Sequence, residues 1–480
     1  MEPERFETVI IGTGFAGLGL AAKMRESGQD DFLLLEKSDD IGGTWRDNHY
    51  PGAECDVASA LYSYSFAPNP TWDFKWAKQK QILQYVNKFA DNFGLRPHIR
   101  CGSQVVRAEY HNGEWRVTLK GGDQLQARYL VSAVGQLHHP RIPNFDGLND
   151  YSGPVFHTAN WDHSVELEGR NIACVGNAAS AIQLIPEVAK VAQKLTVYHR
   201  SPNWIIDKGD RPYSRLEKWI GKTFPSFAKL YRASIWCQGE YGLWPAIQGK
   251  KLQGAVLRWQ HEKKLKKSFP DDPEMRAKLT PDYPIGARRI LLSDTYIEAL
   301  ARENVEIVFD PIETFTRSGI VAGGVERVHD AVTFATGFFS NPFLKEIDVI
   351  GESGLTLKDR WSDGAEAYLG VMTSGFPNLF ILYGPNTNTG HTSIIYKLEQ
   401  QFEMVRQLMS KADGQSVTVK PDAEAQYNDE IQRRLRETAW DKIDASWYKD
   451  GEKVTNNWPG SSREFKRRLT HPNFDHFKFG

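Results

Sequence analysis

Two glycine-rich runs define the chemistry open to this chain. The first, V-I-I-G-T-G-F-A-G, carries Gly12, Gly14 and Gly17 directly after an apolar run ending at Ile11, and Leu18 to Met24 then has helix-forming composition. In such a strand–loop–helix the first glycine permits the tight turn and the second lets the backbone approach a pyrophosphate. The third allows close helix–strand packing, while the helix N-terminus aims amides and positive dipole at the phosphates. A second apolar run, Phe32 to Leu35, ends in Glu36. That is about twenty residues beyond the loop, where a carboxylate accepts hydrogen bonds from both ribose hydroxyls and disfavours a 2′-phosphate. The order predicts a site for the ADP half of FAD.

The second run, I-A-C-V-G-N-A-A-S-A, keeps the turn glycine as Gly176 but has Ala178 and Ala181 at the second and third positions. The third position often accepts alanine. At the second, a methyl is expected to push the pyrophosphate outward and weaken or shift nicotinamide binding. Leu195 to Tyr198 reads as the next strand and runs into His199, Arg200 and Ser201. An acid at that strand end suits NAD and a cation suits the 2′-phosphate of NADP, so Arg200 predicts NADPH. Between the two runs lies Y-S-G-P-V-F-H-T-A-N-W-D, Tyr151 to Asp162, a placement that suggests a flavin and a nicotinamide working face to face across a linker. His157 in that stretch is expected to orient the linker by hydrogen bonds and respond to nucleotide state, with Trp161 packing at the same hinge. Farther on, P-I-G-A-R-R-I-L-L-S-D sets Arg288 and Arg289 just before an apolar helix, Thr295 to Ala301; a basic pair at a domain edge is usually solvated.

Holding these loops calls for an α/β chain with two Rossmann-like dinucleotide-binding domains, and 480 residues is ample for them. The reading places a discontinuous FAD-binding domain at 1–150 and 330–480, with F-A-T-G-F marking the return. An NADP-binding domain then occupies 151–329 and is interrupted by a helical insertion at about 210–280. That insertion is rich in Trp and Lys, with Trp219, Trp236, Trp244, Trp259 and the run H-E-K-K-L-K-K. It reads as an amphipathic cap with a solvated basic face in preference to a segment that shapes the substrate entrance or makes weak peripheral contact with a membrane. The formal charge of −1 and apolar content of 40% give no global basic field for nucleic acid. Cys55, Cys101, Cys174 and Cys237 lie far apart, without C-x-x-C pairing or metal-ligand spacing. They read as reduced, intracellular thiols, with no metal and no disulfide-reductase chemistry. The N-terminus lacks a charged-then-apolar leader and no run is long and apolar enough to span a membrane, so a cytoplasmic protein is expected.

The loop after Glu36 narrows the reading. Gly42, Gly43, Trp45, Tyr50, Pro51, Gly52 and Asp56 match the G-G-x-W-x(4)-Y-P-G-x(3)-D pattern of the type I Baeyer–Villiger monooxygenases, which the chain resembles over nearly its whole length. Tyr151, Gly153, His157, Trp161 and Asp162 are similar to the family fingerprint F-x-G-x(3)-H-x(3)-W-[PD], with tyrosine for the usual phenylalanine. Leu130 to Pro143, Phe334 to Phe338 and Phe376 to Asn386 continue the likeness. The resemblance implies FAD contacts from Gly12, Gly14, Gly17, Glu36, Lys37, Trp45, Asp56, Tyr62 and Val105. It implies NADP contacts from Gly176, Asn177, Ser180, Gln183, Arg200, Ser201, Arg288 and Trp447, the last in a C-terminal control segment that begins at Ser446. It also implies that Arg289 reaches the flavin as the chief catalytic residue with Asp56 positioning it, and a carboxylate in a tight loop needs such a partner once water is excluded. The expected reaction takes a small-molecule ketone, O2 and NADPH to an ester or lactone, water and NADP+. Two other readings stay open. One is an N- or S-oxygenating flavin monooxygenase, which needs no stabilised alkoxide; the other is a non-oxygenating flavin-binding NADPH sensor, for which Ala178 is the sole sequence support.

Overall fold

Short β-branched runs alternating with helical stretches build two open, mainly parallel sheets. The computed structural model describes residues 3–339, 343–443 and 447–480. In the first unit, β1 (Glu4–Ile11), α1 (Phe15–Glu26) and β2 (Phe32–Leu35) form the expected strand–loop–helix–strand. There follow α2 (Thr44–Asp47), α3 (Gln79–Asn92), β3 (Ile99–Arg100), β4 (Val105–His111), β5 (Glu114–Leu119) and β6 (Gln124–Ser132). The sheet runs in the order Asp348–Ile350, β4, β5, β6, β1, β2, β3. Leu379–Ile381 joins it by pairing with Leu130–Ser132, beyond the Gln124–Ala127 stretch that β5 occupies. Alternating side chains on β1 go to opposite layers: Ile10 to the core shared with Leu18, Val131 and Phe402, Val9 to the core shared with Trp115, Leu130 and Phe376. Burial on both faces is why β1 and β2 end as continuous apolar runs.

In the second unit, β7 (Val155–His157), β8 (Asn171–Val175), α4 (Ala179–Val191) and β9 (Lys194–Tyr198) belong to an all-parallel sheet ordered Val305–Val308, β9, β8, Ala331–Phe334, β7. Val155–His157, within the Tyr151–Asp162 stretch read as a linker, is the edge strand of this sheet, paired with Val332–Phe334. Ala331–Phe334, which runs into the F-A-T-G-F segment, also lies in this sheet, and the chain crosses back after it. The outgoing and returning crossovers run side by side, with Arg141 N–H donating to Gly337 O at 2.9 Å and Phe339 N–H to His139 O at 2.9 Å. The insertion is helical, with Arg215–Thr223, Pro225–Gln238, Lys251–Ser268 and Pro273–Lys278 as its main pieces. Its first helix opens on a capping box between Ser214 and Glu217.

His157, His199 and His329 are buried among these strands. Desolvation lowers each from 6.5 to about 4, so the fold holds neutral imidazoles that the unfolded chain would protonate near 6.5. The unfolded state therefore binds more protons between those values, and stability is lost as pH falls through that window. Thermal melts should show a lower Tm at about pH 5 than at about pH 7, with a shallower fall in His329→Gln. A Tm independent of pH over that span would contradict the assignment.

Candidate active site between the two glycine loops

The three glycines of the first loop answer to different demands. Gly12 turns with φ +108°, and a side chain there would meet Ala133 O at 2.6 Å; at Gly17 it would meet Gly12 O at 2.0 Å. Both are required by the protein's own packing. Gly14 is not: its φ is −81°, and an added methyl would find nothing nearer than Gly43 Cα at 4.0 Å. What its bareness leaves room for lies outside the chain. As N-cap of α1 it provides no side-chain acceptor for the first-turn amides, which a bound anion would satisfy. Glu36 waits at the end of β2, buried, accepting from Thr13 N at 3.2 Å and Thr13 Oγ1 at 2.5 Å, with Arg46 at 3.2 Å. Trp45 Nε1 donates to Tyr62 OH at 3.0 Å, and Phe15 packs edge-on to the Tyr62 ring at 5.3 Å, so these rings form one wall near the glycine loop. Lys37 is exposed beside Glu36, whereas the Val105 side chain is buried in the core with Leu35 and Leu119.

The second loop repeats the turn. Gly176 has φ +116°, with Ala335 O where a side chain would go. Ala178 has the same extended geometry as Gly14, again caps its helix without a side-chain acceptor, and its methyl is exposed. Ala181 is fully buried at the close-packing position. Asn177 donates to the Ser201 carbonyl and lies 2.9 Å from His199 Nε2. Arg288 Nη1 donates to Ser201 Oγ at 2.9 Å while its guanidinium covers the Tyr283 ring at 4.7 Å, and Tyr283 OH donates to Pro202 O at 2.9 Å. Arg200 stands exposed beside this cluster. Arg288 and Ser201 thus meet just beyond the end of β9, with Arg200 as the neighbouring residue.

The first unit's Y-P-G loop is pressed against α4 of the second. Tyr50 OH donates to Gln183 Oε1 at 2.8 Å, Glu54 N to the same oxygen at 3.3 Å, and Gln183 Nε2 to Glu54 O at 3.0 Å. A side chain on Gly52 would strike Gln183 O at 2.3 Å. Gln183, expected as an NADP contact, also ties the seam between the units, a role the sequence could not supply because its partners lie over a hundred residues away. Ser180 shares the Tyr50 hydroxyl. Beyond Glu54 the loop delivers Asp56, whose carboxylate pairs with Arg289 of the P-I-G-A-R-R loop. The Arg289 side chain is 46% exposed, so its charge faces open space on one side and a buried aromatic shell on the other. Burial raises Tyr50, Cys55 and Tyr448 to about 12 and Tyr383 further, and in each the Arg289 charge pulls back.

The fingerprint and the C-terminal segment meet on the returning crossover. His157 Nδ1 accepts from Ala159 N at 3.0 Å, leaving the proton on Nε2, towards the Gly337 backbone, and its ring packs edge-on to Phe338 at 5.7 Å. Trp447 Nε1 donates to Phe338 O at 3.2 Å. Ser446 lies outside the described residues. Tyr151 OH donates to His329 O at 2.8 Å and its ring excludes any side chain at Gly153; Phe156 and Trp161 pack edge-on at 4.8 Å. Asp162 closes a local turn by accepting from Ser164 N and Oγ.

This arrangement has close counterparts. A family model described as pyridine nucleotide-disulphide oxidoreductase matches residues 9–236, although the cysteines of this chain are free. A Baeyer-Villiger monooxygenase of Streptomyces coelicolor is 39% identical over 97% of this chain and 91% of its own length. One of Pseudomonas aeruginosa is 40% identical over 96% and 89%. The chain belongs to the Baeyer–Villiger monooxygenase family. Among solved structures, cyclohexanone monooxygenase from Rhodococcus sp. Phi1 bound to NADP+ superposes with TM-score 0.89 at 26% identity, over 99% of both chains. Oxidized steroid monooxygenase bound to NADP does so with TM-score 0.86 at 29%, over 99% of this chain and all of that one.

Within this Baeyer–Villiger fold the sequence reading missed the shell around Arg289. Tyr383 follows the strand Leu379–Ile381 with φ +58° and donates to Asn388 Oδ1 at 2.9 Å, while Gln136 Nε2 donates to Tyr383 O at 2.9 Å. A Y-G-P-N turn directly after the apolar run L-F-I-L was its available signal. Buried Lys208 pairs with Glu54, which also holds Lys78; burial lowers the Lys208 pKa and Glu54 opposes the fall. Nothing local in I-I-D-K-G-D marks it. Gly12→Ala should destabilise the apoprotein by on the order of 3 kcal/mol through strain and overlap. Gly14→Ala should leave apoprotein unfolding within about 0.5 kcal/mol of wild type yet weaken dinucleotide retention roughly tenfold or more. Denaturant titration of the apoprotein and equilibrium dialysis of the cofactor separate the two, and a destabilised Gly14→Ala apoprotein would contradict the reading.

Proposed function

We propose that this protein is a FAD-dependent, NADPH-consuming Baeyer–Villiger monooxygenase that converts a ketone, O2, NADPH and a proton into an ester or lactone, water and NADP+. The observation that carries the proposal is the Asp56–Arg289 pair, formed between one domain's loop and the other's where the two glycine-loop units meet. On this reading the outer segments hold FAD, the middle segment holds NADPH, and the helices of residues 215–278 are its insertion. The bare Gly14 cradle and the buried Glu36 fit a flavin dinucleotide, and the Arg288–Ser201 contact beside Arg200 fits the 2′-phosphate of NADPH. When bound, FAD supplies the electronics that pass electrons from NADPH to O2.

The chain's own residues supply charge, position and shelter. The α1 amides and Gly14 take the pyrophosphate, Glu36 the ribose hydroxyls, and Trp45 and Tyr62 a wall beside the cofactor; Lys37 and the Val105 backbone border the same groove. Gly176, Asn177 and Ser180 face the second pyrophosphate, and Trp447 covers the nicotinamide side. Arg289 offers N–H donors and full charge to the oxyanion that develops as the carbonyl carbon becomes tetrahedral, a contact strongest in the transition state. Asp56 holds the guanidinium in one rotamer so that little reorganisation is needed during reaction. The buried tyrosines stay protonated at neutral pH and exclude water without adding negative charge beside the developing oxyanion. Free cysteines, with no helix among the described residues long and apolar enough to cross a membrane, support a cytoplasmic enzyme.

Arg289→Ala should leave flavin reduction by NADPH intact, because hydride transfer needs no oxyanion donor, while ester formation falls roughly a hundredfold or more. Asp56→Ala should show the same separation more mildly. Stopped-flow bleaching of the flavin and product mass from a ketone panel read the two steps, and wild-type ester formation by Arg289→Ala would overturn the mechanism. Arg288→Ala should raise the KM for NADPH roughly tenfold or more, with NADH little affected; equal losses with both donors would remove the 2′-phosphate assignment.

A further inference from the structure

The helical insertion leaves an apolar face uncovered. On the Arg215–Thr223 helix, Leu216 and Trp219 lie three residues apart, on one side, and both are exposed; on the Pro225–Gln238 helix, Phe227 and Leu230 do the same, Leu230 at 74%. Exposed Phe224 joins the two, its ring edge-on to Trp219 at 5.8 Å, and Tyr241 extends the face beyond the second helix at 62% exposure. The opposite sides of these helices are the ones that dock. Arg232 Nη1 donates to Ala60 O at 2.7 Å and Ser63 O at 2.9 Å, Lys218 pairs with Asp73, and the Trp236 ring meets Tyr396 at 6.0 Å. The face is therefore the outer side of an anchored element and not a fraying end. Monomeric proteins rarely leave such contiguous apolar surface without a use.

Charge selects the occupant. Residues 215–268 hold twelve Lys or Arg against three Glu, in a chain whose net charge is −1. Within the exposed pair of helices the acid is Glu217, which is already held by Arg211, whereas Arg215, Lys222 and Lys229 flank the apolar residues. Large apolar side chains ringed by lysines suit the headgroup boundary of an anionic bilayer: the rings and leucines enter the acyl region while long cationic stems stay at the phosphates. A second copy of this face would set like charge against like. Single-stranded nucleic acid would use the rings but has no role for Leu216 and Leu230.

We propose that the outward face of the first two insertion helices, centred on Trp219, Phe227 and Leu230, is a peripheral docking surface for anionic lipid membranes. The sequence reading set a membrane contact below a solvated basic face; the exposed apolar side chains opposite the docked Arg232 favour the membrane contact. An enzyme held there meets ketones that partition into lipid. This second consequence rests on the proposed oxygenation, whereas the docking does not.

The test is vesicle flotation of the FAD-loaded enzyme, with phosphatidylcholine vesicles and with vesicles that also contain phosphatidylglycerol. Wild type should float with the anionic vesicles and stay behind with the neutral ones. Trp219→Glu combined with Leu230→Glu, and separately Lys222→Glu combined with Lys229→Glu, should each lower the bound fraction roughly tenfold. Turnover of a water-soluble ketone should be unchanged in both, since none of these residues touches the site; flavin absorbance and circular dichroism check that each variant is folded. Equal flotation with both vesicle types, or wild-type flotation by both variants, overturns the proposal. So does a wild-type dimer that the glutamate variant dissociates in sedimentation, or single-stranded DNA that displaces wild type from the vesicles. A loss of soluble-ketone oxygenation in wild type with flotation intact would sink the proposed function and leave the docking surface standing.

Discussion

The interaction on which the rest depends is the contact of one side-chain amide with another domain's backbone. Gln183 of α4 takes Tyr50 OH and the N–H and C=O of Glu54, and Gly52 lets the loop come close enough to do so. Two dinucleotide domains joined by paired crossovers could hinge freely; this seam ties the loop of one to the helix of the other. Asp56 follows Glu54 by two residues, so the placement of Arg289 is inherited from that amide. A shift of the loop by an ångström would move the only carboxylate paired with Arg289 among the described residues, and misplacement on that scale is costly in catalysis.

Electrostatics around the seam divides into two regimes. Lys208, Glu54 and the half-exposed Lys78 form a cluster in which desolvation opposes the charge of Lys208, while Glu54, between the two lysines, and Asp210, which also pairs with Lys78, sustain it. Its worth is geometric, since removing Glu54 would leave buried Lys208 without its nearest counter-charge. Arg289 differs. It is half exposed and balanced by one acid, and the groups behind it are phenols and a thiol that burial keeps neutral. A guanidinium so placed keeps unfilled hydrogen-bonding capacity towards the open side, which a site that must stabilise transient negative charge needs.

The glycine loops show the same division between what serves the fold and what serves a ligand. Gly12, Gly17 and Gly176 are demanded by carbonyls of their own chain, so they would be needed in an empty protein. Gly14 is not. Ala178 occupies the equivalent place in the second loop with its methyl exposed, and the fold tolerates it for the same reason that the fold does not need Gly14.

Local order was legible in the sequence wherever one short segment contains the whole physical cause. A strand, a glycine turn and a helix explain β1–α1 and β8–α4 within a few residues each, and the acid or cation at the next strand end states which ribose is favoured. The W-x(4)-Y-P-G-x(3)-D spacing likewise placed Asp56. Tertiary structure alone decided what depends on pairing between distant residues. Val155–His157 became an edge strand because Val332–Phe334 offered a parallel partner, Gln183 was engaged at the seam, and Lys208 was buried beside Glu54. The outward turn of Trp219 and Leu230 was also settled there, because a helix's amphipathic pattern says that two faces differ but not which one a neighbouring domain will cover. Spacing within a segment is a property of the chain; which surfaces meet is a property of the whole fold, and for this protein that second property made a site of two loops.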